Sequence, residues 1–295
     1  MDLRHCTLCP RECGANRSVG AGFCGGDKDI RIARAALHFG EEPCITGENG
    51  SGTVFFSGCA LRCKFCQNNP ISQNGVGQIV SKERLSEIFL ELQQQGAENI
   101  NLVTPSHYAP MIADSLRAVK YKLNIPVVCN CSGYESAEIL KCFDGLVDVY
   151  LPDLKYYSAE MSARYSDAGD YFKVASSALT EMYRQVGACN YSSCGILQKG
   201  LLIRHLVLPG GKEDSKKLLQ WIAEHFQKEN IRISLMRQYT PCGDLSGCPE
   251  LNRKLFSMEY TSVVRYASEL ELLGYMQGRN CDNFSMTPTF DFTGV

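Results

Sequence analysis

The sequence predicts an α/β fold in which six strand–helix units build a parallel sheet behind a cysteine-rich N-terminal extension. Two observations carry this. From about residue 50, apolar runs of strand length alternate with segments of helical periodicity, and each parallel strand needs a crossover before the next. Ahead of them, residues 1–50 are rich in glycine and cysteine and show little periodicity. The expected division is therefore a metal-binding extension over 1–50 and a larger unit over 51–295.

The first strand is expected over 53–58, where Thr53-Val-Phe-Phe56 is β-branched and aromatic and glycines flank it at Gly52 and Gly58. Ser81 is placed to cap a helix that carries Leu85, Ile88, Phe89 and Leu92 on one face and closes at Gly96. A second strand over 99–104 leads to a helix over 109–121. A third over 126–131 leads to a short helix over 136–143. A fourth over 148–154 leads to helical sequence through Gln185. The fifth, over 201–208, precedes a helix capped by Asp214 with Leu218, Leu219, Ile222 and Phe226 facing inward. The sixth, over 232–238, precedes a helix over 252–273. Periodicity alone does not separate an open doubly wound sheet from a barrel. In both, the loops at the carboxyl ends of the strands carry the site.

The chain has 295 residues, 44% of them apolar, which is enough for a full core and against disorder. Its net charge of −2 shows no bias towards polyanions. Met1-Asp-Leu-Arg-His-Cys6 is polar and does not read as a signal peptide, and no apolar stretch reaches membrane-span length. Sixteen cysteines is the extreme value. Without a secretory signal, thiols at this density read as metal ligands in a reducing cytoplasm.

The most informative run is Ser57-Gly-Cys59-Ala-Leu-Arg-Cys63-Lys-Phe65-Cys66. Its C-x3-C-x2-C spacing lets Cys59, Cys63 and Cys66 grip three corners of a cubane iron–sulfur cluster and leaves one iron open. A zinc knuckle would need a fourth ligand, and none lies close by in sequence. A disulfide framework would need an oxidising compartment. A second set, Cys6, Cys9, Cys13 and Cys24, offers four thiolates, enough for structural zinc or for an auxiliary cluster with no open iron. Arg11, Arg17 and the neighbouring glycines fit a tight ligand-wrapping loop. Cys189 with Cys194, and Cys242 with Cys248, would form a further site only if the fold joined them. Cys44, Cys142 and Cys281 read as buried small hydrophobes or loose thiols.

Three strand ends carry polar side chains that a buried strand otherwise avoids: Asn130 and Ser132, Asp153 and Lys155, and Arg204 and His205. Each pair reads either as a satisfied structural network or as ligand contacts around one barrel mouth.

Cys59-Ala-Leu-Arg-Cys63-Lys-Phe65-Cys66, including the aromatic before the last cysteine, resembles the signature of the radical S-adenosylmethionine enzymes. The resemblance covers about residues 50–280 and implies a partial barrel of six β/α units. It implies a [4Fe–4S] cluster whose open iron is chelated by the amino and carboxylate groups of S-adenosylmethionine. Reductive cleavage then gives a 5′-deoxyadenosyl radical that abstracts hydrogen. Asn130-Cys-Ser-Gly-Tyr134, Pro152-Asp-Leu-Lys155, Arg204-His-Leu-Val-Leu-Pro209 and Gln238-Tyr-Thr-Pro241 resemble glycyl-radical activating enzymes, the family of pyruvate formate-lyase activating enzyme. This implies that Phe65, Asn130 and Ser132 face the cofactor and that Asp153, Lys155, Arg204 and His205 position it or the substrate. It also implies a flavodoxin or ferredoxin as reductant and a glycine of a partner protein as substrate. The same chemistry on a small molecule, a peptide or an RNA is the alternative, with RNA least favoured by the acidic balance. A non-catalytic electron-transfer protein is the distant third reading. One departure stands out: the superfamily's Gly-Gly-Glu is replaced by Val103-Thr-Pro-Ser-His107, so Thr104, Ser106 and nearby carbonyls are the expected substitutes. His107 reads as a helix-start residue or a proton donor.

Overall fold

The computed structural model describes residues 3–278 and 287–295. Its elements in chain order are β1 (Ile30–His38), α1 (Pro43–Thr46), β2 (Ser51–Phe56), α2 (Asn69–Ser72), β3 (Gln78–Val80), α3 (Lys82–Gln94), β4 (Ile100–Val103) and α4 (Ala109–Val119). There follow β5 (Val127–Cys131), α5 (Ala137–Phe143), β6 (Val149–Pro152), α6 (Ala159–Ser166), α7 (Tyr171–Val186) and β7 (Asn190–Tyr191). The last are β8 (Leu197–Leu206), α8 (Lys212–His225), β9 (Arg232–Met236), α9 (Ser257–Glu269) and β10 (Gly274–Met276).

The six expected strands are β2, β4, β5, β6, β8 and β9, and they pair in that order, all parallel. They are apolar because both faces are covered: every residue of β2, β4, β5 and β6 is buried. The sheet extends past this core. Short β10 adds in parallel to β9, and β7 pairs antiparallel with β8. At the other edge β1 pairs antiparallel with β2, and β3 with β1. The fold is thus a partial (β/α)6 barrel with helices packed outside it. No helix among the described residues is long and apolar enough to cross a membrane.

Three expectations are corrected. Residues 30–38, read as part of an irregular extension, form β1 and belong to the sheet. The run pairs with β2 although it directly follows the cysteine- and glycine-rich segment, whose irregular composition hides its strand pattern. Asp214 does not cap α8, whose N-cap is Gly211. Asp214 sits in the first turn and accepts the Tyr157 and Ser158 N–H groups at 2.9 and 2.8 Å, tying α8 to the loop after β6. The last helix is shorter than expected, preceded by a 3-10 turn at Pro249–Leu251. Ser81 does act as the N-cap of α3, accepting from Arg84, and the structure adds Ser136 as the N-cap of α5, accepting from Ile139.

The cysteine loop leaves β2 through Gly58, whose φ of 99° is one that L side chains rarely adopt. A Cβ there would lie 2.6 Å from the Cys24 carbonyl oxygen and 2.9 Å from His107 Nε2. We expect Gly58→Ala to destabilise the fold by about 2 kcal/mol, read as a fall in urea midpoint, because strain and collision act together. An unchanged midpoint would show that this exit from β2 is loosely held.

Candidate active site

The carboxyl ends of all six parallel strands surround one cleft of ≈ 240 Å³. β2 delivers Cys59, Cys63, Phe65 and Cys66 through its following loop, and β4 delivers Thr104. β5 delivers Asn130, Cys131 and Ser132, and β6 Asp153 and Lys155. β8 delivers Arg204, and the segment after β9 delivers Gln238, Tyr239 and Thr240. Residues far apart in sequence, singled out for unrelated reasons, therefore meet at one mouth.

Each thiol of the loop has a polar neighbour. The Leu61 N–H donates to Cys59 Sγ at 3.4 Å, the Ser166 hydroxyl donates to Cys63 Sγ at 3.0 Å, and Cys66 Sγ lies 3.3 Å from Ser72 Oγ. Burial pushes all three thiols above the ordinary cysteine range, and neighbouring thiols add to the rise. Lys155 opposes it, because its ammonium stabilises their thiolates. Phe65 packs edge-on against Tyr239 with ring centroids 5.7 Å apart. Donor type, loop spacing and hydrogen bonds to sulfur all fit an iron–sulfur cluster with an open iron.

Opposite the thiols lies a buried charge network. Arg204 donates to Asp153 Oδ1 at 3.0 Å, to Glu41 Oε2 at 3.0 Å and to Asn130 Oδ1 at 2.5 Å. Glu41 Oε1 accepts from Asn101 and Asn130, each at 3.1 Å, and Lys155 Nζ donates to Asp153 Oδ2 at 2.5 Å. Although burial raises it, the Asp153 carboxyl is held below its ordinary pKa by Lys155 and Arg204. Glu41 was missed in the sequence because it stands in a loop with no periodicity around it. Next to it, Glu42 is buried, and desolvation pushes its carboxyl up.

The backbone contributes too. Thr104 holds a φ of 57°, an outlier for a β-branched residue, while its N–H donates to the Asn130 carbonyl at 2.8 Å. The Tyr171 hydroxyl accepts the Lys155 N–H at 3.0 Å and lies 2.7 and 2.8 Å from the Asp153 and Ser132 carbonyls. One phenol thereby fixes the ends of β5 and β6.

Two expected site residues are not brought to the cleft. His205 alternates with Arg204 along β8 and points the other way, with Nδ1 2.6 Å from the Leu154 carbonyl and Nε2 2.8 Å from Ser215 Oγ. Ser106 is buried and donates to Glu135 Oε1 at 2.9 Å; Ser132 donates to the same oxygen at 3.2 Å. His107 stands in the 3-10 turn Ser106–Tyr108, where a helix start was one of its two readings, with Nε2 2.7 Å from the Ser57 carbonyl.

The four N-terminal cysteines lie close enough for their thiolates to repel one another. Cys242 and Cys248 are both free thiols. Cys242 Sγ donates to the Phe65 carbonyl at 3.2 Å, and Lys64 Nζ donates to Cys248 Sγ at 3.6 Å, so both brace the cysteine loop from outside. Cys189 packs against the buried cluster that contains Cys44, and Cys194 is exposed. Cys281 lies outside the described residues. Among the described residues, no three His, Cys, Asp or Glu side chains converge tightly enough to hold a single metal ion.

Arg204→Met should leave Glu41 and Asp153 buried without their shared cation and destabilise the fold by about 3–5 kcal/mol in urea unfolding. A loss under about 1 kcal/mol would mean that water replaces the guanidinium. A pH effect follows from His107, which burial lowers to about 4, so it is neutral when folded. The unfolded chain binds the proton first. The stability this residue contributes is therefore complete above pH 6.5 and falls by roughly 3 kcal/mol as pH drops towards 4. His107→Asn should flatten that part of the urea-midpoint profile; a profile unchanged from the native chain would refute the assignment.

The comparisons with known proteins agree with this geometry. Residues 53–185 match the Radical SAM superfamily. An uncharacterized protein of Methanocaldococcus jannaschii is 28% identical over 279 residues, covering 92% of this chain and 76% of its own. In fold, the chain is similar to SuiB of Streptococcus suis, solved bound to its precursor peptide SuiA. That match has a TM-score of 0.50 and 14% identity, and covers 76% of this chain but only 47% of SuiB. It is also similar to a radical SAM methyltransferase of Sphaerobacter thermophilus, with a TM-score of 0.50 and 10% identity over 79% of this chain and 68% of that one. The chain thus carries a radical SAM domain over residues 53–185, with the superfamily's signature cysteines in the loop that follows its first parallel strand.

Proposed function

We propose that the chain abstracts hydrogen from a glycine of a partner protein, using S-adenosylmethionine cleaved at a [4Fe–4S] cluster held by Cys59, Cys63 and Cys66. The superfamily implies both cofactors. When bound, they supply one-electron cleavage of a carbon–sulfur bond and a carbon radical that takes a hydrogen atom. The observation that carries the reading is convergence: all four motif segments resembling glycyl-radical activating enzymes meet the cysteine loop at the cleft.

The chain's own residues have separable tasks in this reading. Lys155 and Arg204, pinned by Asp153 and Glu41, offer fixed positive charge to a carboxylate. Asn130 and Ser132 offer hydrogen bonds at the end of β5, and the strained turn at Thr104 offers backbone carbonyls to an amino group. Phe65 and Leu61 pack beside the thiols and limit water there. An external one-electron donor of the flavodoxin or ferredoxin class completes the electron balance.

The first test is anaerobic. Reconstituted protein is given dithionite and S-adenosylmethionine, and 5′-deoxyadenosine is quantified against Cys63→Ala. Product that disappears in the variant is expected. With the partner protein, we expect about one 5′-deoxyadenosine per glycyl radical counted by electron paramagnetic resonance. Saturable turnover of a small molecule would overturn the partner-protein reading, and a reducible cluster that yields no product with any partner would overturn the catalytic one.

A further inference from the structure

The N-terminal extension is built around Cys6, Cys9, Cys13 and Cys24, and it is docked on the cysteine loop. The Cys59 N–H donates to the Cys24 carbonyl at 2.9 Å. Arg11 Nε donates to the Ala60 carbonyl at 2.8 Å, and Arg62 donates to the Phe23 carbonyl. Both guanidiniums also cover the Phe23 ring, at 4.4 and 4.8 Å from its centroid. The loop carrying the candidate reactive thiols therefore rests on a segment whose own interior is largely sulfur.

We propose that Cys6, Cys9, Cys13 and Cys24 hold a second iron–sulfur cluster, fully ligated by protein and set against the reactive loop. Cys6, Cys9 and Cys24 are buried and Cys13 is exposed, so one corner reaches the surface. The sulfurs of Cys13 and Cys24 flank Gly22, where a Cβ would lie 3.5 and 3.7 Å from them, and the Gly26 N–H donates to Cys24 Sγ at 3.4 Å. The buried Arg17 lies beside them: its Nη2 and Cys24 Sγ both flank Gly26, where a Cβ would lie 3.0 and 3.4 Å from them.

Spacing selects the metal. The loop of Cys59, Cys63 and Cys66 is where the superfamily implies a cubane. The N-terminal spacing mirrors it: C-x2-C-x3-C is the reverse of C-x3-C-x2-C in the loop, so each puts three thiols within eight residues. Cys24, the fourth ligand, is then one peptide hydrogen bond from Cys59.

The test does not need catalysis, so it fails separately from the proposed function. A cubane carries four irons, so the native chain reconstituted with iron and sulfide should hold about eight. Cys59→Ala/Cys63→Ala/Cys66→Ala should hold half of that. Cys9→Ser/Cys24→Ser, with the reactive loop intact, should lose the same half, so a misfolded variant of either kind does not decide the outcome alone. After dithionite, the cluster in the triple variant should give a paramagnetic signal that S-adenosylmethionine leaves unchanged, because it has no open iron. About four irons in the native chain, or one zinc per chain in place of the second cluster, would overturn the proposal.

Discussion

A guanidinium buried where strands end is the constraint around which the site is arranged. Arg204 cannot lose its charge, and an unpaired charge at that depth would cost several kcal/mol. Its fork is filled by Asp153 from the end of β6, Asn130 from β5 and Glu41 from the loop after β1. Three chain segments must therefore reach one point in one register. The parallel bridge between Asp153 and Arg204 continues the β6–β8 pairing at that point. Glu41 brings in the segment between β1 and β2, which the six-unit core does not require. Satisfying one cation thus fixes the shape of the cleft wall that faces the thiols.

The same logic places Lys155. Its ammonium is held by Asp153 and raises the favour of thiolate at Cys63, Cys66 and Cys59, against the burial that disfavours it. Carboxylates, cations and thiols form one electrostatic unit across the cleft, and a change at any member is felt by the others.

Much of this was legible in sequence, for definite reasons. Strands buried on both faces read as continuous apolar runs, so β2, β4, β5, β6, β8 and β9 stood out. Ser81 announced a helix start through its hydroxyl. Polar residues breaking an apolar strand end pointed to Asn130, Ser132, Asp153, Lys155 and Arg204. What failed was direction. His205 is as polar and as near a strand end as Arg204, but period-two alternation turns it towards Ser215 behind the sheet. Ser106 failed likewise, since a 3-10 turn aims it at Glu135. Glu41 left no pattern, because a loop residue chosen for a partner 163 positions away has no local signature.

The position of the N-terminal extension follows from how little it can bury by itself. Its described residues before β1 contain few large apolar side chains, so it gains order by docking, with Ser136 Oγ donating to the Leu8 carbonyl and Arg11 reaching the Ala60 carbonyl. Its carbonyls are in turn what the reactive loop uses. That loop leaves β2 through a glycine with no room for a side chain, and the Cys59 N–H finds its acceptor on Cys24 rather than within the barrel. A buried N–H without that partner would cost about 1–3 kcal/mol. Neither segment is complete without the other, so whatever orders the four N-terminal thiols also orders the backbone on which Cys59 depends.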